Sequence, residues 1–83
     1  MEKAVLITPQ QCRAARAGLD WTRDELAQKA GVGLSTVASF EREEGSPRGP
    51  NLAAIRLALE KVGVRFTEDG CVCFPEAKEG AGE

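Results

Sequence analysis

The sequence predicts a mainly α fold, four helices followed by a C-terminal β-hairpin, and three observations carry that expectation. Thr8-Pro9-Gln10-Gln11 and Thr22-Arg23-Asp24-Glu25 are two capping boxes, each marking a helix start. Apolar residues recur at helical spacing in two further stretches, at Leu34, Val37 and Phe40, and at Leu52, Ile55, Leu59 and Val62. Near the C-terminus, VRFT and CVCF flank Glu68-Asp69-Gly70, an alternation around an Asp-Gly turn signal.

The first helix is expected over 9–19. Thr8 supplies the capping hydroxyl, Pro9 occupies the first helical position, and Ile7 can staple against Cys12. Its inward face reads as Cys12, Ala15, Arg16 and Leu19, and Asp20, a residue type that tolerates left-handed backbone, ends it. The second helix, 23–30, repeats the pattern with Trp21 and Leu26 as the staple, which gives Trp21 a structural task. Gly31 ends that helix, and a new apolar phase opens a third over 34–43. Two short helices joined so tightly cross steeply, so the residue at their contact must be small, and Ala27 sits there. The arrangement is a helix-turn-helix.

After EGSPRGP, Asn51 is the expected cap of a fourth helix over 52–62, whose stripe of Leu52, Ile55, Leu59 and Val62 faces the core and which Gly63 terminates. The hairpin is expected over 64–74, with AVLI at residues 4–7 as a candidate third strand from the same chain or a partner. A chain of 83 residues makes one domain, here residues 1–74, burying only about 60% of its unfolded surface. The remainder, 75–83, lacks periodicity and reads as a disordered acidic tail.

Composition excludes several classes. Hydrophobic residues at 42% and charged ones at 29% describe a soluble globular chain. The run Ala4-Val5-Leu6-Ile7 is too short for a membrane span or the apolar region of a signal peptide, so a cytoplasmic location is expected. Cys12, Cys71 and Cys73 are an odd set, and Cys71-Val72-Cys73 is one residue too close for a Cys-x-x-Cys motif, so neither a disulfide framework nor a metal site is expected. The chain has no histidine, no glycine-rich phosphate loop and no carboxylate pair at catalytic spacing, which argues against an enzyme and against any cofactor.

Within the helix-turn-helix, Arg23, Leu26, Ala27, Gly31, Val37 and Phe40 match the first, fourth, fifth, ninth, fifteenth and eighteenth positions of a known pattern, and ELAQKAGV followed by STVASFE fits it throughout. The chain resembles the phage repressor and Cro-type (xenobiotic response element) helix-turn-helix regulators over about residues 9–63. The resemblance implies an all-helical DNA-binding fold, a transcriptional role and double-stranded DNA as partner, none of which spacing alone establishes. It also implies roles for particular residues. Leu34, Ser35, Ala38 and Ser39 match the base-contacting positions of the recognition helix. Thr22, Arg23, Thr36, Arg42 and Arg48, with Gly45 and Ser46, fall where the family touches the phosphate backbone. Arg23 stands where the family often has glutamine. Arg16 matches an arginine that pairs with a glutamate late in the recognition helix, here Glu41.

If Val37 points to the core, a rotation of about 100° per residue places Ser35, Ala38, Ser39 and Arg42 on the opposite, outward face. Short side chains there let a helix backbone approach base edges in the major groove. The same residues also make an ordinary solvated helix face. Net charge is −2, but residues 67–83 hold five acids and one base, leaving ten bases against eight acids before them. The outward face carries no lysine, glutamine or asparagine, and Glu43 and Glu44 lie close to the expected phosphate path, so a shallow salt dependence is expected. A homodimer through the hairpin, with residues 4–7 as an added strand, would double the contacts and suit a pseudo-palindromic operator. The alternative is a protein-interaction module, such as an antitoxin-like partner, built on the same fold.

Overall fold

A computed structural model of the chain describes residues 7–44 and 49–75. Residues 4–6 of the expected N-terminal strand, Gly45, Ser46 and Arg48, and 76–83 of the expected tail lie outside the described residues. Four helices, α1 (Pro9–Leu19), α2 (Arg23–Ala30), α3 (Leu34–Glu41) and α4 (Gly49–Glu60), precede a two-stranded hairpin, β1 (Arg65–Phe66) and β2 (Val72–Cys73). No helix among the described residues is long and apolar enough to cross a membrane.

Both capping boxes close as their sequences require. Thr8 Oγ1 accepts from Gln11 N–H at 3.1 Å while Gln11 Oε1 accepts from Thr8 N–H at 2.9 Å. Thr22 and Glu25 repeat the exchange at 3.0 and 2.8 Å. Each box satisfies two of the orphan amide donors at a helix start, and losing such a cap costs about 1 kcal/mol. Asp20 (φ 62°) and Gly31 (φ 74°) end α1 and α2 in left-handed conformations. Each helix therefore stops where local sequence dictates, and the tight turns fold the three helices back on one another.

The core gathers Ile7, Cys12, Ala15, Leu26, Ala27, Val37, Phe40, Ile55, Ala58, Leu59 and Val64, with Leu19, Trp21 and Leu52 packed half-buried against it. Leu26, Ile55 and Leu59 are wholly buried, each contributing about 2 kcal/mol of transfer free energy. Ala27, 3% exposed, lies in α2, which packs against both α3 and α4. A larger side chain at this position would drive the helices apart. Lys29 Nζ sits 5.1 Å from the centre of the Trp21 ring, covering the indole's outer side.

Three sequence expectations are corrected. The fourth helix starts at Gly49, so Asn51 is inside the first turn and does not cap it; Pro50 is compatible with that turn, where an amide proton is not needed. That helix ends at Glu60, and Val62, expected in the stripe, is 41% exposed because the chain has left the helix; Val64 takes the inward place. The third helix ends at Glu41 instead of 43. Glu43 adopts φ 61°, its N–H bonding Phe40 O at 3.0 Å while Glu44 N–H reaches back to Ser39 O at 2.9 Å.

This double bond pattern is a Schellman closure with a glutamate where glycine is usual. Left-handed backbone costs a side-chain-bearing residue about 1 kcal/mol. Glu43 Oε2 accepts from Gln10 Nε2 at 3.3 Å and lies 3.8 Å from Arg13 Nη2, but these contacts are exposed and offset little. Glu43→Gly is therefore expected to stabilise the protein by up to about 1 kcal/mol, read as a higher denaturant midpoint at unchanged slope.

The hairpin turns through Thr67–Gly70, with Gly70 N–H on Thr67 O at 3.1 Å and Gly70 at φ 92°. Phe66 pairs with Val72 and Arg65 with Cys73 in antiparallel register. Phe66 and Val72 pack on the core, and Phe74 lies on α1 at Gly18, where a Cβ would overlap its ring. The hairpin thus closes one end of the helical bundle.

Candidate nucleic-acid interface

The second and third helices set the geometry of the outward face. Gly33 precedes α3 as its N-cap and provides no side-chain cap, so the first amides of the helix are not covered by one. Val37 and Phe40 anchor its inner side, both buried. On the outer side Leu34 is 47% exposed and Ser35 is also exposed, whereas Thr36, Ala38 and Ser39 are half-buried. Ser39, expected on the outward face, is therefore only partly exposed.

A shallow concavity lies between the start of α2 and the outer side of α3. Thr22, Arg23, Asp24, Leu34, Ala38 and Arg42 line it, together with Arg16 from α1. Five residues that the sequence placed at a nucleic-acid surface, Thr22, Arg23, Leu34, Ala38 and Arg42, thus share one depression. Ser35, Thr36 and Ser39 are not part of its lining. Asp24 contributes the one acidic group to it. Arg42 is about half exposed, its Nε 3.2 Å from the equally exposed Glu44 Oε2, an ion pair that solvent weakens.

Beneath this surface lies a buried carboxylate. Glu41 is 1% exposed. Arg16 grips it with two bonds, Nε to Oε2 at 2.8 Å and Nη2 to Oε1 at 2.9 Å, and donates from Nη1 to Trp21 O at 2.8 Å. Arg23 Nε adds a bond to Oε1 at 2.9 Å, and the Cys12 thiol donates to Oε2 at 3.1 Å. Arg13 donates to the Glu41 backbone oxygen. The charge is buried, but its oxygens are saturated and two guanidiniums neutralise it, the condition under which a buried ion holds its place.

Sequence reading paired Arg16 with Glu41 by resemblance and assigned Arg23 to phosphate alone. The structure ties Arg23 to Glu41 as well, so its guanidinium is oriented from below while its side chain stays 34% exposed. The sequence offered no signal for this bond or for those of Cys12 and Arg13, because they join helices through tertiary placement. Turning Arg23 into a neutral residue would disturb stability and surface charge together.

Burial pushes the Glu41 carboxyl up, and hydrogen bonds from Arg16, Arg23 and Cys12 outweigh it, leaving its pKa below the ordinary glutamate value. The Cys12 thiol moves the other way: burial and the neighbouring carboxylate push it well above the usual range, so it remains protonated and a donor. A carboxyl whose folded pKa is depressed adds stability above its unfolded pKa, about 4.3, and that stability is lost as pH falls through the folded value. An acid titration of the melting temperature should therefore fall below about pH 4, and the fall should be shallower in Glu41→Gln.

The family model described as helix-turn-helix matches residues 13–65, more than half of the chain. A search of curated proteins gives no match. The match runs from within α1 through α2, the turn, α3 and α4 to the first residue of β1, and the chain belongs to the phage repressor and Cro-type helix-turn-helix family of DNA-binding regulators.

Proposed function

We propose that the protein is a sequence-specific transcriptional regulator that lays α3 in the major groove of a pseudo-palindromic operator. The observation that carries this reading is the concavity shared by Thr22, Arg23, Leu34, Ala38 and Arg42. Its width is bounded by the start of α2 and by α3, so a phosphate held near Thr22 and Arg23 sets the depth at which α3 meets base edges. Leu34 and Ala38 are suited to a thymine methyl, and Ser35 and Ser39 to polar base edges. Thr36, Arg42 and Arg48 add backbone contacts.

A symmetric dimer through the hairpin completes the reading. Among the described residues β1 and β2 pair only with each other, so each keeps an open edge. Val64 is buried and Phe66 and Val72 pack on the core, which leaves Phe74, 43% exposed, and Val62, 41% exposed, as the large apolar side chains open near the hairpin among the described residues. Two-fold pairing would set the recognition helices about 34 Å apart. Selection of bound fragments from random duplex DNA, followed by sequencing, is expected to return a palindrome with half-sites one helical turn apart. Equal recovery of all sequences would overturn the reading in favour of a protein-interaction module, and a monomeric mass at micromolar concentration with full operator affinity would overturn the dimer.

A further inference from the structure

The outer face of the hairpin carries two thiols that neither the core nor the outward face of α3 uses. Cys71 and Cys73 are free and exposed, whereas Val72 between them is half-buried on the core. This alternation sets both cysteines on one side of the strand, with Thr67 across from Cys71 and Arg65 across from Cys73. Two residues of extended strand advance about 6.6 Å with their Cβ atoms parallel. A disulfide needs Cβ atoms converging to about 3.8 Å, which this ladder does not allow. The pair stands as two parallel thiols.

An ion between them can reach both. Metal–sulfur bonds of about 2.3 Å let a linear centre span sulfurs about 4.6 Å apart, within rotamer reach of neighbouring same-face side chains. Among the described residues no group of three or more cysteine, aspartate or glutamate side chains could hold a metal. Asp69, the nearest described carboxylate in sequence, accepts from the Thr67 hydroxyl and stands beside the Cys71 thiol, but its oxygens are hard donors that a soft ion does not favour, and Cys12 is buried on Glu41. Two soft donors without a third fit an ion content with two thiolates, in contrast to the four ligands of structural zinc.

We propose that Cys71 and Cys73 form a surface site for one soft, two-coordinate metal ion of the monovalent copper class. Binding forms two metal–sulfur bonds, releases the two thiol protons and changes no oxidation state. The resulting bis-thiolate complex carries one negative charge, which Arg65, across the ladder from Cys73, offsets. A hollow lined by Gly63, Arg65, Thr67, Cys73, Phe74 and Pro75 shelters one side of it.

The test titrates the reduced full chain with Cu(I) under anaerobic conditions against a chromophoric Cu(I) chelator. One ion per chain is expected, and Cys71→Ser and Cys73→Ser should each weaken binding by about a hundredfold or more, because the second bond is then no longer intramolecular. Circular dichroism and melting of these exposed-site variants should match the parent, and Cys71→Ala and Cys73→Ala should repeat the loss without a hydroxyl. Zinc at equal concentration should not displace the copper. Parent-like affinity in any single variant, binding retained in the double variant through Cys12, displacement by zinc, or one ion per two chains each overturns the proposal.

Discussion

Arg16→Met is expected to lower the unfolding free energy by about 3 kcal/mol, because it strands a carboxylate with no access to water. Glu41 would keep one bond from Arg23 and one from Cys12. Arg23 is a third exposed, so its remaining charge compensates only in part. This places the loss near the low end of the range for breaking buried pairs. For a domain of this size the loss corresponds to a fall of about 15 °C in melting temperature. Chemical denaturation should show the same shift at unchanged slope.

Combining Arg16→Met with Glu41→Leu separates the cost of a stranded charge from the worth of the pair. Apolar replacement of both partners removes the desolvated carboxylate, so the double variant should recover more than about 1 kcal/mol relative to the sum of the single losses. An unchanged midpoint in Arg16→Met would mean that Arg23 and Cys12 alone hold Glu41, and the pair would not be structural. The position of Glu41 links this stability to the outward face. It is the last residue of α3, and Arg23, which it holds, lines the concavity beside that helix.

The local features of this fold were legible because they are decided within a few residues. Thr8 with Gln11, Thr22 with Glu25, and the left-handed Asp20 and Gly31 need no knowledge of the rest of the chain. The errors arose where a local signal was outranked. Asn51 is a good cap in isolation, but Gly49 and Pro50 already turn helically ahead of it. Val62 continues a helical stripe in sequence, while the chain breaks away after Glu60 and Gly63 takes φ 101°. Nothing local forecasts Glu43 in left-handed backbone, since the residue type argues against it.

The outward face was legible only as an angle. A helical projection opposite Val37 finds Ser35, Ala38 and Ser39, but exposure depends on what neighbouring helices cover, and α3 packs against both α1 and α2. Ser35 is exposed while Ala38 and Ser39 are half-buried. The Glu41 cluster draws Cys12, Arg13, Arg16 and Arg23 from two other helices, a convergence that no spacing in the sequence encodes.

Those differences in exposure choose the substitutions that separate reading from positioning on DNA. Ser35→Arg adds a long donor at an exposed site where helix propensity is not harmed, so folding should be intact. A bidentate contact to guanine discriminates by about 1–3 kcal/mol, so preference at one or two operator positions should shift by roughly tenfold or more. Arg42→Ala removes an exposed charge whose partner among the described residues is the solvated Glu44, and it leaves Glu41 untouched. It should weaken binding to every fragment alike and reduce the salt slope by about one counterion. Arg23→Ala is the poorer probe, since it would lower stability as well. Fragment selection on the Ser35 variant and salt titration of the Arg42 variant measure the two effects separately. A Ser35→Arg protein with parental preference, together with an Arg42→Ala protein with parental salt dependence, would move the DNA off this face.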